Sequence, residues 1–180
     1  MKYLEIVSHY EACLDKHGDT HLGVDWPQKE DAFKRYRVML NLVREVDTNI
    51  SLLDFGCGAA HLYDYMIENG MSKVNYSGLD ISEKFIKLCE SKHPTAQFFC
   101  SDILIEGTTI PLVDYIVMNG VFTEKISMSH EEMFLYFQTM LKKIFPFARK
   151  GLAFNVMSKQ VDWERDELFH LSLDDMATFV

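Results

Sequence analysis

The sequence predicts an α/β fold: a parallel sheet sandwiched by helices, preceded by an N-terminal helical cap. Three observations carry this. Short apolar runs alternate with amphipathic stretches from residue 50 onward, the pattern of strands joined by crossover helices. The first run, Ile50–Phe55 (ISLLDF), feeds at once into Gly56-Cys57-Gly58, as a buried strand feeds a tight turn. The chain has 180 residues, 48% hydrophobic and 25% charged, which suits one domain with a packed core.

Taken in order, Tyr3 to Lys16 has a helical spacing of Leu4, Val7, Tyr10 and Leu14. A loop follows from His17 to Gly23, and Trp26-Pro27 ends it, Pro27 favouring a nearby helix start. A second helix is predicted from about Glu30 to Val46, with Phe33, Tyr36, Met39, Leu40 and Val43 apolar. After the first strand, Ala60 to Asn69 reads as a helix closed by Gly70. Val74 to Leu79 is a strand ending in Asp80. Ser82 is placed to cap a helix that runs to Ser91. Ala96 to Cys100 is a strand leading to Asp102, and Val113 to Met118 is another. Ser129 and Glu132 have capping-box spacing ahead of a helix from His130 to about Phe145. Gly151 to Met157 reads as a fifth strand, and Leu173 to Val180 as a helix start.

Composition excludes several functions. With 18 Lys and Arg against 27 Asp and Glu, the net charge of −9 argues against a grip on nucleic acid phosphates. No apolar run approaches the roughly 18–20 residues of a membrane span, and the first 15 residues lack a signal-peptide core. The cysteines are Cys13, Cys57, Cys89 and Cys100. None forms a C-x-x-C pair, so reduced thiols in a cytoplasmic protein are expected. His17 and His21 are four apart, but Gly18 and Asp19 break the helix that would align them, and no metal is expected.

In a parallel sheet, ligands bind beyond the carboxyl ends of the strands. The loops there hold Gly56–His61, Asp80–Ser82, Ser101–Ile103 and Asn119–Lys125. Gly-x-Gly lets a ligand approach the backbone where a Cβ would clash. The third glycine of a dinucleotide fingerprint falls at His61, and an ionised Asp54 would repel a pyrophosphate while welcoming an ammonium or sulfonium. Asp80, 24 positions after Gly56, is spaced to accept hydrogen bonds from ribose hydroxyls. Asp102 follows strand three, where it is able to accept a bond from an adenine amine, with Ile103 packing on the ring. Each has an ordinary alternative: Asp54 as a turn cap, Asp80 as a helix-terminal acid, Asp102 as turn chemistry, and Cys57 as a small packed residue.

In sequence order, LLDFGCGAAHL, YSGLDIS, FFCSDIL and VDYIVMNGVF resemble the successive motifs of class I S-adenosylmethionine-dependent methyltransferases, bacterial small-molecule type. The resemblance covers roughly residues 28 to 158. It implies a Rossmann-like sheet and S-adenosyl-L-methionine as cofactor, with S-adenosyl-L-homocysteine as product. Carried over by position, it implies cofactor contacts at Asp54, Gly56 and Gly58, at Asp80, and at Asp102 and Ile103; Cys57, His61 and Ile81 beside them are further candidate cofactor contacts, His61 equally a cap of its helix. It also implies a lid before strand one, which brings in Trp26 and Arg35, the latter toward the cofactor carboxylate. Asn119, Glu124 and His130 follow strand four, where the family's acceptors sit. Asn119 is expected at both cofactor and acceptor. No N-P-P-Y type motif is present, which tilts the expected acceptor toward a small-molecule oxygen.

The sequence departs from the family in two places. Ala60 replaces a third glycine, and the last two of the family's usual seven strands are not found, as in a shortened or minimal relative. The expected organisation is a cap over 1–46 and a Rossmann-like domain over 47–180, in one domain overall. An exposed fifth strand makes a homodimer an expectation. The runner-up is an NAD(P)-dependent oxidoreductase, for which no Tyr-x-x-x-Lys occurs in the right place. The third reading is a non-catalytic cofactor-binding domain.

Overall fold

The structure, a computed structural model, describes residues 2–43, 49–71 and 73–179. Two N-terminal helices, α1 (Tyr3–His17) and α2 (Lys29–Leu40), flank a short 3₁₀ turn at His21–Val24. Then β1 (Ile50–Phe55), α3 (His61–Glu68), β2 (Val74–Asp80), α4 (Glu83–Lys92), β3 (Gln97–Cys100) and β4 (Val113–Met118) follow in alternation. α5 (His130–Ile144), β5 (Ala148–Phe154), β6 (Met157–Ser158), β7 (His170–Leu171) and α6 (Leu173–Phe179) complete the chain. The predicted end of the second helix at Val46, the 46/47 boundary and Val180 lie outside the described residues.

The main sheet has five strands in the order β3-β2-β1-β4-β5, and every pairing is parallel. The order reverses between β1 and β4, so a crevice opens above their carboxyl ends. Both faces of the sheet are covered, which is why its central strands read as continuous apolar runs. Successive β1 residues serve opposite faces, as the pleat requires. Leu53 and Phe55 join the core with α5, while Ile50 and Leu52 join the core with α2 and α3. Tyr3 and Ile6 of α1 lie in the first core, and Ala32, Tyr36, Met39 and Leu40 of α2 in the second. The N-terminal helices are therefore built into the same cores as the sheet.

Three local signals act as read. Ser82 accepts from the Phe85 N–H at the start of α4. Ser129 and Glu132 form a reciprocal capping box on α5. Gly70 adopts a positive φ just past the end of α3. Two expectations shift. The fifth strand ends at Phe154 rather than Met157, because Met157–Ser158 pairs with His170–Leu171 in a separate two-stranded sheet. The α1 face also rotates: Leu4 is 41% exposed, while Tyr3 and Ile6 are buried.

No sixth or seventh strand joins the main sheet among the described residues. The segment around Phe169 instead folds back on the loop after β4. Lys125 N–H donates to Glu167 O at 2.9 Å and Phe169 N–H to Thr123 O at 2.8 Å. Phe169 and Leu171 enter the first core beside Phe122 and Phe137.

Candidate functional site

The crevice at the strand reversal is a cavity walled by the carboxyl ends of β1, β2 and β4, the loop after β3, and the N-terminal segment. Its floor is the turn after β1. Gly56 (φ 73) and Gly58 (φ 50) lie in the left-handed region. A Cβ at Gly56 would lie 2.7 Å from the Val121 side chain, and one at Gly58 3.3 Å from Val24. The turn is tied to the second strand: Gly56 and Cys57 N–H both donate to Leu79 O, at 2.7 and 3.0 Å. Ala60 shares the left-handed conformation (φ 57) at a fully buried position. The glycine of the resembled family suits that backbone, so Ala60 is a strained replacement rather than only a small one.

Asp80 is the hub. Its carboxylate accepts from Gly58 N–H and Ser82 N–H, both at 2.9 Å, joining the turn to the start of α4. Burial raises its pKa, against the lowering effect of those N–H groups. A carboxylate has about four lone-pair sites, and the Ile81 N–H also bears on this one, so some acceptor capacity remains for a ligand hydroxyl. Asp102 is held in the same way: Leu104 N–H donates at 2.9 Å and the Tyr3 hydroxyl at 2.6 Å. Burial and the Asp102 contact push the Tyr3 phenol up to about 12, so it stays a donor. Asp54 lies under the turn, accepts from the Tyr76 hydroxyl at 2.9 Å, and is pushed up by burial to about 7. Tyr63 stacks on Tyr76 at 4.2 Å and fixes that donor.

The wall opposite the glycine turn is α1. Tyr3, Ile6, Val7 and Tyr10 line the cavity at i, i+3, i+4 and i+7 spacing, one face of a helix. The helix is pinned at several points. Lys2 pairs with Glu132 at 2.7 Å, Glu5 accepts from the Ser127 hydroxyl, Glu11 accepts from the Ser82 hydroxyl, and Lys84 donates to Asp15 at 2.8 Å. Tyr136 and Met140 of α5 add to the lining. None of Tyr3, Ile6, Tyr136 or Met140 is a site residue in the sequence reading. Their periodicity was visible, but which face of each helix meets the crevice is settled by packing.

Asp54, Gly56, Cys57, Gly58, His61, Asp80, Ile81, Asp102, Ile103, Asn119, Glu124 and Trp26 all line this one cavity. Arg35 and His130 do not. The Arg35 guanidinium lies over the Trp26 ring at 4.7 Å, so it backs the wall instead of entering it. His130, the first residue of α5, turns toward the C-terminal segment, its Nε2 2.9 Å from His170 O. The Cys57 thiol is pushed up by the neighbouring Cys89 thiol and by burial, which makes it a packed wall residue and a poor nucleophile. His61 pairs with Asp19 at 2.8 Å, linking the glycine turn to the loop after α1. His21 Nδ1 lies 2.6 Å from Trp26 O and serves the loop itself.

Two buried oxygens in the cavity, Asn119 Oδ1 and Thr123 Oγ1, have no hydrogen-bond partner among the described residues. Buried polar atoms seldom stay unpaired, so a donor group on a ligand fits here. Glu124 lines the same end, its carboxyl raised by burial and by Asp25. With acceptor sites on Asp80 and Asp102, the chemistry of the wall suits a nucleoside that also carries an ammonium group.

Comparison with known proteins gives the family and the fold. The profile of the family described as methyltransferase domain matches residues 53–143, half of the chain. No curated protein matches the sequence significantly. Among solved structures, the magnesium protoporphyrin IX methyltransferase from Synechocystis PCC 6803, with bound SAM, is similar over 99% of this chain and 84% of its own, at 17% identity and TM-score 0.69. A SAM-dependent methyltransferase from Aquifex aeolicus is similar over 86% of this chain and 81% of its own, at 17% identity and TM-score 0.60. A TehB-like SAM-dependent methyltransferase from Corynebacterium glutamicum is similar over 98% and 79%, at 12% identity and TM-score 0.53. At these identities the likeness is one of fold.

Proposed function

Given that the chain belongs to the methyltransferase domain family, we propose that it transfers a methyl group from S-adenosyl-L-methionine to a small-molecule acceptor, at an oxygen atom. The observation that carries this reading is the meeting of the Gly56–Gly58 turn, Asp80 and Asp102 on one cavity. S-adenosylmethionine supplies the methyl group on a sulfonium, and S-adenosylhomocysteine remains after transfer. Asp80 holds the ribose hydroxyls with its remaining acceptor capacity. Asp102 accepts from the adenine amine, with Ile81 and Ile103 against the ring. The glycine turn gives room for the methionyl part, and Asn119 accepts from its ammonium. Arg35 supports Trp26 from behind, and Trp26 and α1 shield the site from water, which favours displacement at a sulfonium.

An oxygen acceptor must lose its proton. We assign that proton to Glu124, which lines the cavity and whose carboxyl burial and Asp25 raise above its ordinary value. Thr123 Oγ1 is left to orient the acceptor. Residues 1–46 act as a lid over a domain of 47–180, and β5 at the sheet edge offers a surface for a second copy. No helix of the described residues is long and apolar enough to cross a membrane. The oxidoreductase alternative is set aside by the family match.

Thermal unfolding with S-adenosylmethionine, S-adenosylhomocysteine and NADH tests the cofactor, because a ligand selective for the folded state raises the melting temperature. The first two are expected to raise it and NADH is not. The acceptor is tested by S-adenosylhomocysteine release over a panel of hydroxyl-, amine- and thiol-bearing compounds. Release only with amines or thiols overturns the oxygen assignment.

A further inference from the structure

At the rim of the cavity, three side chains with three different donor atoms converge from two segments. His9 and Cys13 stand one turn apart on α1, on the same face. Asp25 follows the 3₁₀ turn in a left-handed conformation (φ 56), fixed by its N–H bonding back to His21 O and Leu22 O. That backbone aims its carboxylate at α1: Asp25 Oδ2 is 2.8 Å from His9 Nε2, and Cys13 Sγ is 3.9 Å from the same nitrogen. One nitrogen, one sulfur and one oxygen lie within 4.8 Å of one another.

We propose that His9, Cys13 and Asp25 bind a Zn²⁺ ion that fastens α1 to the loop bearing Asp25. Around a tetrahedral ion with bonds of about 2.0–2.3 Å, neighbouring donors sit about 3.3–3.8 Å apart. The separations of 2.8, 3.9 and at most 4.8 Å bracket that range, so rotamer adjustments close the site without backbone movement. A thiolate with an imidazole selects zinc over magnesium or calcium, which prefer all-oxygen sites. All three residues are half-buried, open enough for an ion to enter and enclosed enough to hold it. The surroundings are rich in acid: Asp25 and Glu124 line the same cavity. A divalent cation relieves that crowding. Three protein donors leave a fourth position for water.

This site is independent of the methyltransferase reading, and so is its test. Co²⁺ is added to the reduced 180-residue chain without cofactor, and the near-ultraviolet sulfur-to-cobalt band is recorded. Zn²⁺ affinity is then measured against a chromophoric indicator. The band is expected in the wild type and absent from Cys13→Ser, which keeps Cys57, Cys89 and Cys100. Zn²⁺ affinity is expected to fall by at least about tenfold in His9→Ala and Asp25→Asn, since losing even an outer partner of a metal ligand costs about that much. A band that survives Cys13→Ser, or equal affinity in all variants, overturns the site and leaves a plain His9–Asp25 ion pair. Circular dichroism checks each fold; should Cys13→Ser misfold, Asp25→Asn decides alone.

Discussion

At the scale of single residues, the acids of the site differ in task because their surroundings differ. Asp80 both accepts from the glycine turn and faces the cavity. On the proposed cofactor contact, Asp80→Ala removes the ribose bonds and also orphans the N–H groups of Gly58 and Ser82. At about 1.5–3 kcal/mol for each bond to a charged acceptor, affinity for S-adenosylhomocysteine should drop at least about tenfold by calorimetry. The melting temperature should fall as well, which a pure ligand contact would not cause. Asp54 is the opposite case. Its folded pKa of about 7 stands above the ordinary 3.8, so the folded state holds a proton that the unfolded state releases. Stability contributed by this group is thus lost as pH rises from about 4 through 7. Asp54→Asn keeps an acceptor for the Tyr76 hydroxyl without the charge. Melting curves should show the variant gaining on the wild type as pH rises from 5 to 8, and a constant difference would sink the assignment.

Among the elements, α1 carries the most functional weight. It contributes a lining face of Tyr3, Ile6, Val7 and Tyr10, and its outer residues reach α4 and α5 through Asp15 and Lys2. Those surface pairs are each worth little, from nothing to about 1 kcal/mol. The contact that matters is the Tyr3 hydroxyl on Asp102, because it joins α1 to the acid proposed to hold adenine. Tyr3→Phe keeps the ring packed on Tyr136, 5.6 Å away, and removes only the donor. Hydrogen exchange should then show faster opening of amides 3–10, with protection of β1 and β4 unchanged. Equal exchange in α1 would mean that packing alone holds it.

For the molecule as a whole, the N-terminal helices and the sheet share their cores, which changes what truncation does. Tyr3 and Ile6 are 8% exposed and lie in the core with α5. Deleting residues 1–18 should abolish cofactor binding and also lower the melting temperature, by more than loss of a loosely docked cap would. Unaltered thermal stability would show that α1 sits on a core complete without it. Cofactor should in turn slow exchange across 3–10 and 24–36 together, since both segments face one cavity.

The sequence by itself determined the alternation of elements, the glycine turn and the acids after the second and third strands. These are local: a buried strand needs an apolar run, a Gly-x-Gly turn needs missing Cβ atoms, and caps need Ser beside a helix start. Asp80 and Asp102 were legible because their offsets from a strand end are set within one crossover unit. Tertiary structure alone decided which face of α1 meets the crevice, and that Tyr3 and Tyr136 stand at Asp102's end of it. It also turned His130 toward His170 and laid Arg35 on Trp26. It drew Phe169 into the core where the sequence offered only an unassigned tail. The physical reason is common to these cases. Periodicity names the members of a helix face but not its partner, and a side chain's direction follows from packing between elements far apart in the chain.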